Sequence, residues 1–186
     1  MTTVTETVAR VRSMAASGAD AALRLVDEYA VARPDDAAEH EILWLAVEAG
    51  LLDGFLALAR DVLLHHAHPW HEAPVESADQ DPLSQAAFGQ AYAVRAAVAA
   101  LLDEVVAAHA AGDPLNARRT ALARGYAQRR AGEVVNHVIG VLGASSATDR
   151  HGLDRYWRAV QLLGAEHPAA QLVATGSIPS PEGTLA

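Results

Sequence analysis

The chain of 186 residues contains no cysteine, no lysine and few aromatic side chains, which make up 5% of the residues. Without cysteine there are no disulfides, thiolate metal sites or thiol nucleophiles, and a reducing, cytoplasmic setting is the simplest expectation. Without lysine no amine is available for a Schiff base, because all 14 basic residues are arginine. No uninterrupted apolar run reaches the ~20 residues that a bilayer helix needs, and the opening Met1-Thr-Thr-Val-Thr-Glu6 lacks the basic-then-apolar order of a signal peptide. No membrane association is expected. A net charge of −9 opposes binding to nucleic acid. Strand signals are missing too, since no short β-branched segment alternates apolar with polar residues.

What is present is helical periodicity. Weak amphipathic patterns over Thr2 to Ala16 and Ala22 to Ala32 flank Gly18. Arg33-Pro34-Asp35-Asp36 is a stop followed by a start, in which Asp36 caps and Glu39 completes a capping box. From Asp36 to about His66, Ile42, Leu45, Ala49, Leu52, Leu56, Ala59 and Leu63 keep spacings of three and four, and neighbours such as Val47, Leu51 and Phe55 place a second apolar face beside them. Such a helix is the central strut of a bundle. Asp81-Pro82 and Gly112-Asp113-Pro114 start two further helices joined by a tight turn, with Val94, Val98, Leu101 and Val105 facing Leu122, Tyr126, Val134, Val138 and Val141. Another helix covers Gly152 to Leu163, and Gly164 to Pro168 separates it from a short terminal helix to Thr175. The expected architecture is all-α: an up-down four-helix bundle over 36–176, an N-terminal helical segment over 1–35 and a disordered tail over 177–186.

The run Val141-Leu-Gly-Ala-Ser-Ser-Ala-Thr-Asp-Arg-His-Gly-Leu-Asp-Arg-Tyr-Trp-Arg158, with His68-Pro-Trp70, Asp81-Pro82 and Phe88-Gly89 upstream, resembles the C-terminal helical domain of acyl-CoA dehydrogenases. The branch it is most similar to includes reduced-flavin-dependent monooxygenases and the type 2 C-terminal domain. The resemblance covers about Ile42 to Gly176 and implies a tetrameric flavoprotein built from an N-terminal helical domain, a middle β domain and this bundle. Residues 1–35 are too short and too unlike strands to supply that β domain. The positions at which the family contacts flavin also depart from its pattern: Gly140 stands for a glutamine, Ala144 for the second glycine, His66-Ala-His68 for an arginine, and Ala159 for an aspartate. These departures lead to the expectation of no cofactor, with FAD or FMN as the alternative.

Counting from Arg158, the resemblance places the family's reactive side chain at Glu166 and His167, an acid and a base beside Pro168. A second acid/base candidate comes from spacing alone, because Glu133 and His137 are four apart on one helix, although Glu133 also lies four after Arg129. The plain alternatives are a helix cap for the first pair and a surface ion pair with a satisfied histidine for the second. His65, His66, His68 and His71 with Glu72 lack the spacing of a zinc site, and no Glu-x-x-His pair recurs on two helices, so no metal is expected. Arg118, Arg119, Arg124, Arg129 and Arg130 read as a solvated helix face, and Ser145 or Ser146 as nucleophile has no assignable base. Three functions remain. One is a cofactor-free acid/base enzyme, an isomerase, lyase, dehydratase or cyclase acting on an acyl or polyketide-type small molecule of bacterial specialised metabolism. The second is a subunit of a heteromeric flavoenzyme, partnered by a full-length acyl-CoA dehydrogenase. The third is a non-catalytic ligand-binding or scaffolding bundle. A homodimer or homotetramer is expected to cover apolar positions left open.

Overall fold

The structure is a computed structural model that describes residues 3–166 apart from Trp70, Glu72, Ala73, Ala144, Ser145, Ala147 and Thr148, with the side chains of Asp149 and 164–166 also left aside. Six α-helices and short 3-10 turns make up the described chain, and no strand occurs among those residues. The helices are α1 (Val4–Ser17), α2 (Ala19–Ala32), α3 (Ala37–His65), α4 (Pro82–Ala110), α5 (Asn116–Leu142) and α6 (Leu153–Glu166).

Local chemistry sets most boundaries. Thr3 and Glu6 form a complete capping box on α1. Asp81 accepts a hydrogen bond from the Leu83 N–H, with Pro82 in the first turn of α4. Asp36 caps α3 by accepting from the Glu39 N–H at 3.2 Å, but the Glu39 carboxylate does not close the expected box. It instead receives Tyr29 and Arg33 from the end of α2 and meets His109 of α4, joining three helices. Asp113 accepts from the Leu115 N–H at 2.8 Å in a turn, so α5 starts at Asn116, later than expected. At the other end of the chain α6 continues through Gly164 to Glu166, and the expected terminal helix lies outside the described residues.

The core centres on α3, where Ile42, Leu45, Leu51, Leu52 and Phe55 are fully enclosed. This helix has the length and hydropathy of a membrane-crossing one, yet 78% of its apolar window is buried inside the protein. Its apolarity is spent on α1, α4, α5 and α6, which surround it. α4 and α5 form the antiparallel pair expected from their tight turn. Their facing pattern differs at one end: Leu122 and Tyr126 of α5 remain 45% and 39% exposed, because the seam rotates toward Ala123, Ala127 and Ala131.

α1 approaches α3 so closely that a Cβ at Gly50 would overlap the Arg12 carbonyl and Ala15, and one at Gly54 would overlap the Ala16 carbonyl and the Tyr156 ring. Tyr156 of α6 donates to the same Ala16 carbonyl at 2.6 Å, and Asp53 between the glycines receives Arg12 of α1 and Arg95 of α4. The N-terminal segment is thus part of the core. Gly54→Leu is expected to cost about 3 kcal/mol and lower Tm by roughly 6–12 °C, because the obstructing atoms are backbone and a packed ring. The control is Gly89→Ala, whose added methyl group meets nothing within 4 Å and should raise stability by about 0.5–1 kcal/mol. Equal melting of the two variants in calorimetry would refute the seating.

Candidate functional site

Two places on the bundle gather chemistry, and a third is the helix end where the family resemblance places it. The first lies between α3 and α5. Arg124, read from sequence as solvated, is only 1% exposed and is the largest fully buried side chain. Its guanidinium pairs with Glu41 and stands over the Trp44 ring, with Cζ 5.8 Å from the centroid. Arg124 Nε is 3.7 Å from Glu48 Oε1, too far for a hydrogen bond, and Glu48 is itself 3% exposed. Burial pushes the Glu48 carboxyl up from its ordinary 4.5 to about 8, while Arg124 and Gln128 pull it the other way. Both Glu48 oxygens, Arg124 Nε and Nη2 and Gln128 Nε2 lack a hydrogen-bond partner among the protein atoms. Sequence reading missed it, although Glu48 inside an otherwise apolar stretch of α3 was a visible signal.

The second place is the end of the bundle where α3 and α5 finish. The rings of His66, just after α3, and His151, just before α6, lie 4.9 Å apart. Arg150 next to them is exposed, and no ion pair is formed by it among the described residues. A Cβ at Gly140 or Gly143 would meet nothing within 4 Å, leaving open backbone along the last turn of α5. Gly143 itself has φ +85°, which favours glycine in this turn. No cluster of three or more metal-ligating side chains occurs among the described residues.

The third place is the last turns of α6. Glu166 is the final residue of that helix, one turn after Leu162, and His167 lies outside the described residues. The other acid/base candidates have separate partners. Glu133 is held by Arg129 and Arg130 of its own helix, and His137 Nδ1 meets Gln90 Oε1 of α4 at 3.3 Å. All these groups are substantially exposed, so Glu133 has the surface pairing that its spacing from Arg129 allowed.

A family model described as "Acyl-CoA dehydrogenase, C-terminal domain" matches residues 45–171. The chain belongs to this family. It is 26% identical over 145 residues to a dibenzothiophene monooxygenase of Mycolicibacterium goodii, covering 72% of this chain and 35% of the relative. A dibenzothiophene monooxygenase of Rhodococcus erythropolis is also 26% identical, over 148 residues with the same coverages. Among solved structures, methanesulfinate monooxygenase MsuC from Pseudomonas fluorescens superposes with a TM-score of 0.62 at 26% identity, over 77% of this chain and 42% of that one. TdsC from Paenibacillus sp. A11-2, solved with FMN bound, gives a TM-score of 0.62 at 22% identity over 75% and 38%, a likeness of fold. The chain therefore spans about a third of the length of the curated relatives that it matches.

These relatives correct the expectation of a chain without cofactor. The helical domain recurs in monooxygenases, one of them crystallised with FMN, so substitutions such as Gly140 and Ala144 do not remove it from a flavin-using group. The reasoning from those positions failed because it weighed individual contacts.

Proposed function

We propose that the chain works as the helical part of a flavin-dependent monooxygenase acting on a small molecule, in a subunit role where the remaining domains of the assembly supply most of the flavin site. The observation that supports this reading is the 26% identity to monooxygenases over about three quarters of the chain. The residues at the α3 and α5 ends fit a share of such a site. Imidazoles at His66 and His151 and the guanidinium of Arg150 suit a phosphate, and the bare backbone at Gly140 and Gly143 leaves room for a flat ring system. A bound reduced flavin supplies the activation of molecular oxygen.

What this chain adds is chemistry at the end of α6. Glu166 and His167 are proposed to hold or move a proton on the substrate, because the family resemblance places the reactive side chain there. Assembly into a homodimer or homotetramer, or with a larger acyl-CoA dehydrogenase-like chain, would cover Leu122, Tyr126 and the open groove between Leu101 and Arg119.

The test is reconstitution. The chain is co-expressed with a full-length acyl-CoA dehydrogenase-like protein from the same genome, purified by its own tag, and assayed with reduced FMN and oxygen. The expected result is a stable complex that binds flavin at micromolar concentration and incorporates an oxygen atom into an organic acceptor. A chain that neither forms a complex nor binds flavin, alone or with the partner, overturns the proposal.

A further inference from the structure

A cavity of about 820 Å³ lies between α2 and α6, lined at one end by the α1–α2 junction. Most of its lining before Trp44 comes from α1 and α2, which precede the region matched by the family. We infer that this cavity is a binding site for an uncharged planar aromatic molecule, built by the N-terminal helices against α6.

Four observations carry the inference. The volume falls within the ~300–1,000 Å³ of small-molecule sites. Met14, Leu23, Trp44 and Leu163 give the lining an apolar part that includes one aromatic side chain. That side chain is held in place: the Trp44 Nε1–H donates to His40 Nε2 at 3.2 Å and Arg124 stands over the ring, so the indole is already ordered before a ligand arrives. The charged residues of the lining offer no free, enclosed charge: Asp20 and Asp27 on α2 are exposed, Arg158 is paired with Asp154, and Arg155 lies over the Tyr156 ring. An anion is therefore repelled and a cation gains only a screened attraction from exposed carboxylates, whereas a flat apolar ligand gains the apolar part of the lining.

The walls are also fixed. Gly18, the residue joining α1 to α2, has φ +150°, a conformation that disfavours any side chain. The Tyr156 hydroxyl ties the end of α1 to α6, and Gly50 and Gly54 seat α1 on α3. The cavity is consequently a product of the fold, independent of any partner. It reaches Leu162, one turn before Glu166, so an occupant would sit beside the end of α6.

The probe is N-phenyl-1-naphthylamine, neutral and fluorescent in apolar surroundings, titrated into the purified chain without flavin or partner, so failure here leaves the flavin reading intact. Saturable binding of one probe per chain is expected. Leu162→Asp, at a position 63% exposed and so harmless to folding, should weaken it by roughly tenfold or more, the loss of one apolar contact. Leu122→Asp, in the separate groove between α4 and α5, should leave it unchanged. 1-Decanol, apolar but not planar, should displace the probe at least about tenfold less effectively than naphthalene. The inference is overturned by absent or non-saturable binding, by loss on Leu122→Asp with retention on Leu162→Asp, or by equal displacement with decanol.

Discussion

Arg124→Met is expected to lower the unfolding free energy by about 1–3 kcal/mol, because it takes from Glu41 its partner and leaves the buried polar atoms of Glu48 and Gln128 with one polar neighbour fewer. The substitution nearly conserves volume, so the loss reads the charge and its contacts more than a cavity. Arg129→Ala, removing an exposed partner of Glu133, should cost only about 0–1 kcal/mol. Glu48→Gln should behave differently from either. Its carboxyl ordinarily titrates at 4.5 and is held up to about 8, so at neutral pH the native state keeps a proton that the unfolded chain has lost. The native state then binds more protons between those values, and stability from this group falls as pH rises from about 4.5 to about 8, with a slope approaching ~1.4 kcal/mol per pH unit. Glutamine has no such proton, so the variant should gain on the wild type as the pH is raised across that window. Denaturant melts at pH 5 and pH 8 check the sign. If the gap between the two proteins does not change, or narrows in the opposite sense, Glu48 is ionised in the folded chain and Arg124 is its ordinary salt-bridge partner.

In the reconstituted assembly, His167→Ala and Glu166→Gln are expected to reduce turnover by ~10²–10⁴, the usual loss when a positioned acid or base is removed. The effect should fall on kcat, since a proton-transferring group acts in the transition state, and the melting temperature should stay within a few degrees of wild type. A pH profile separates the roles. Loss of a base removes the acidic limb of the rate curve and loss of an acid removes the alkaline one. Should both variants turn over at the wild-type rate, the end of α6 is a structural junction and the reactive group lies on another domain. The Glu133 and His137 alternative is weaker in the fold than in the sequence. Two arginines hold the carboxylate and Gln90 meets the imidazole, so neither residue is poised toward the other.

The family resemblance was visible from ordered motifs spread over α3 to α6, and the flavin inference drawn from it was wrong because motif positions were treated as independent votes. The cavity beside α6 left only a faint trace in the sequence. Met14, Leu23, Trp44 and Leu163 are far apart along the chain, and nothing local brings them together.

The helices and their order were determined by the sequence alone, because capping residues, prolines and three-four apolar spacing act within a turn or two of where they stand. Asp36, Asp81 and the apolar stripe of α3 needed no tertiary partner to declare themselves. Which charge is buried, and which apolar residue stays open, was decided only by packing. Arg124 and Arg129 are five apart on one helix and look alike in sequence, yet a rotation of α5 against α3 encloses the first and leaves the second in water. Gly50 and Gly54 likewise look like weaknesses in a long helix until α1 lies across them, because a glycine's value there is the absence of a side chain where another backbone must pass.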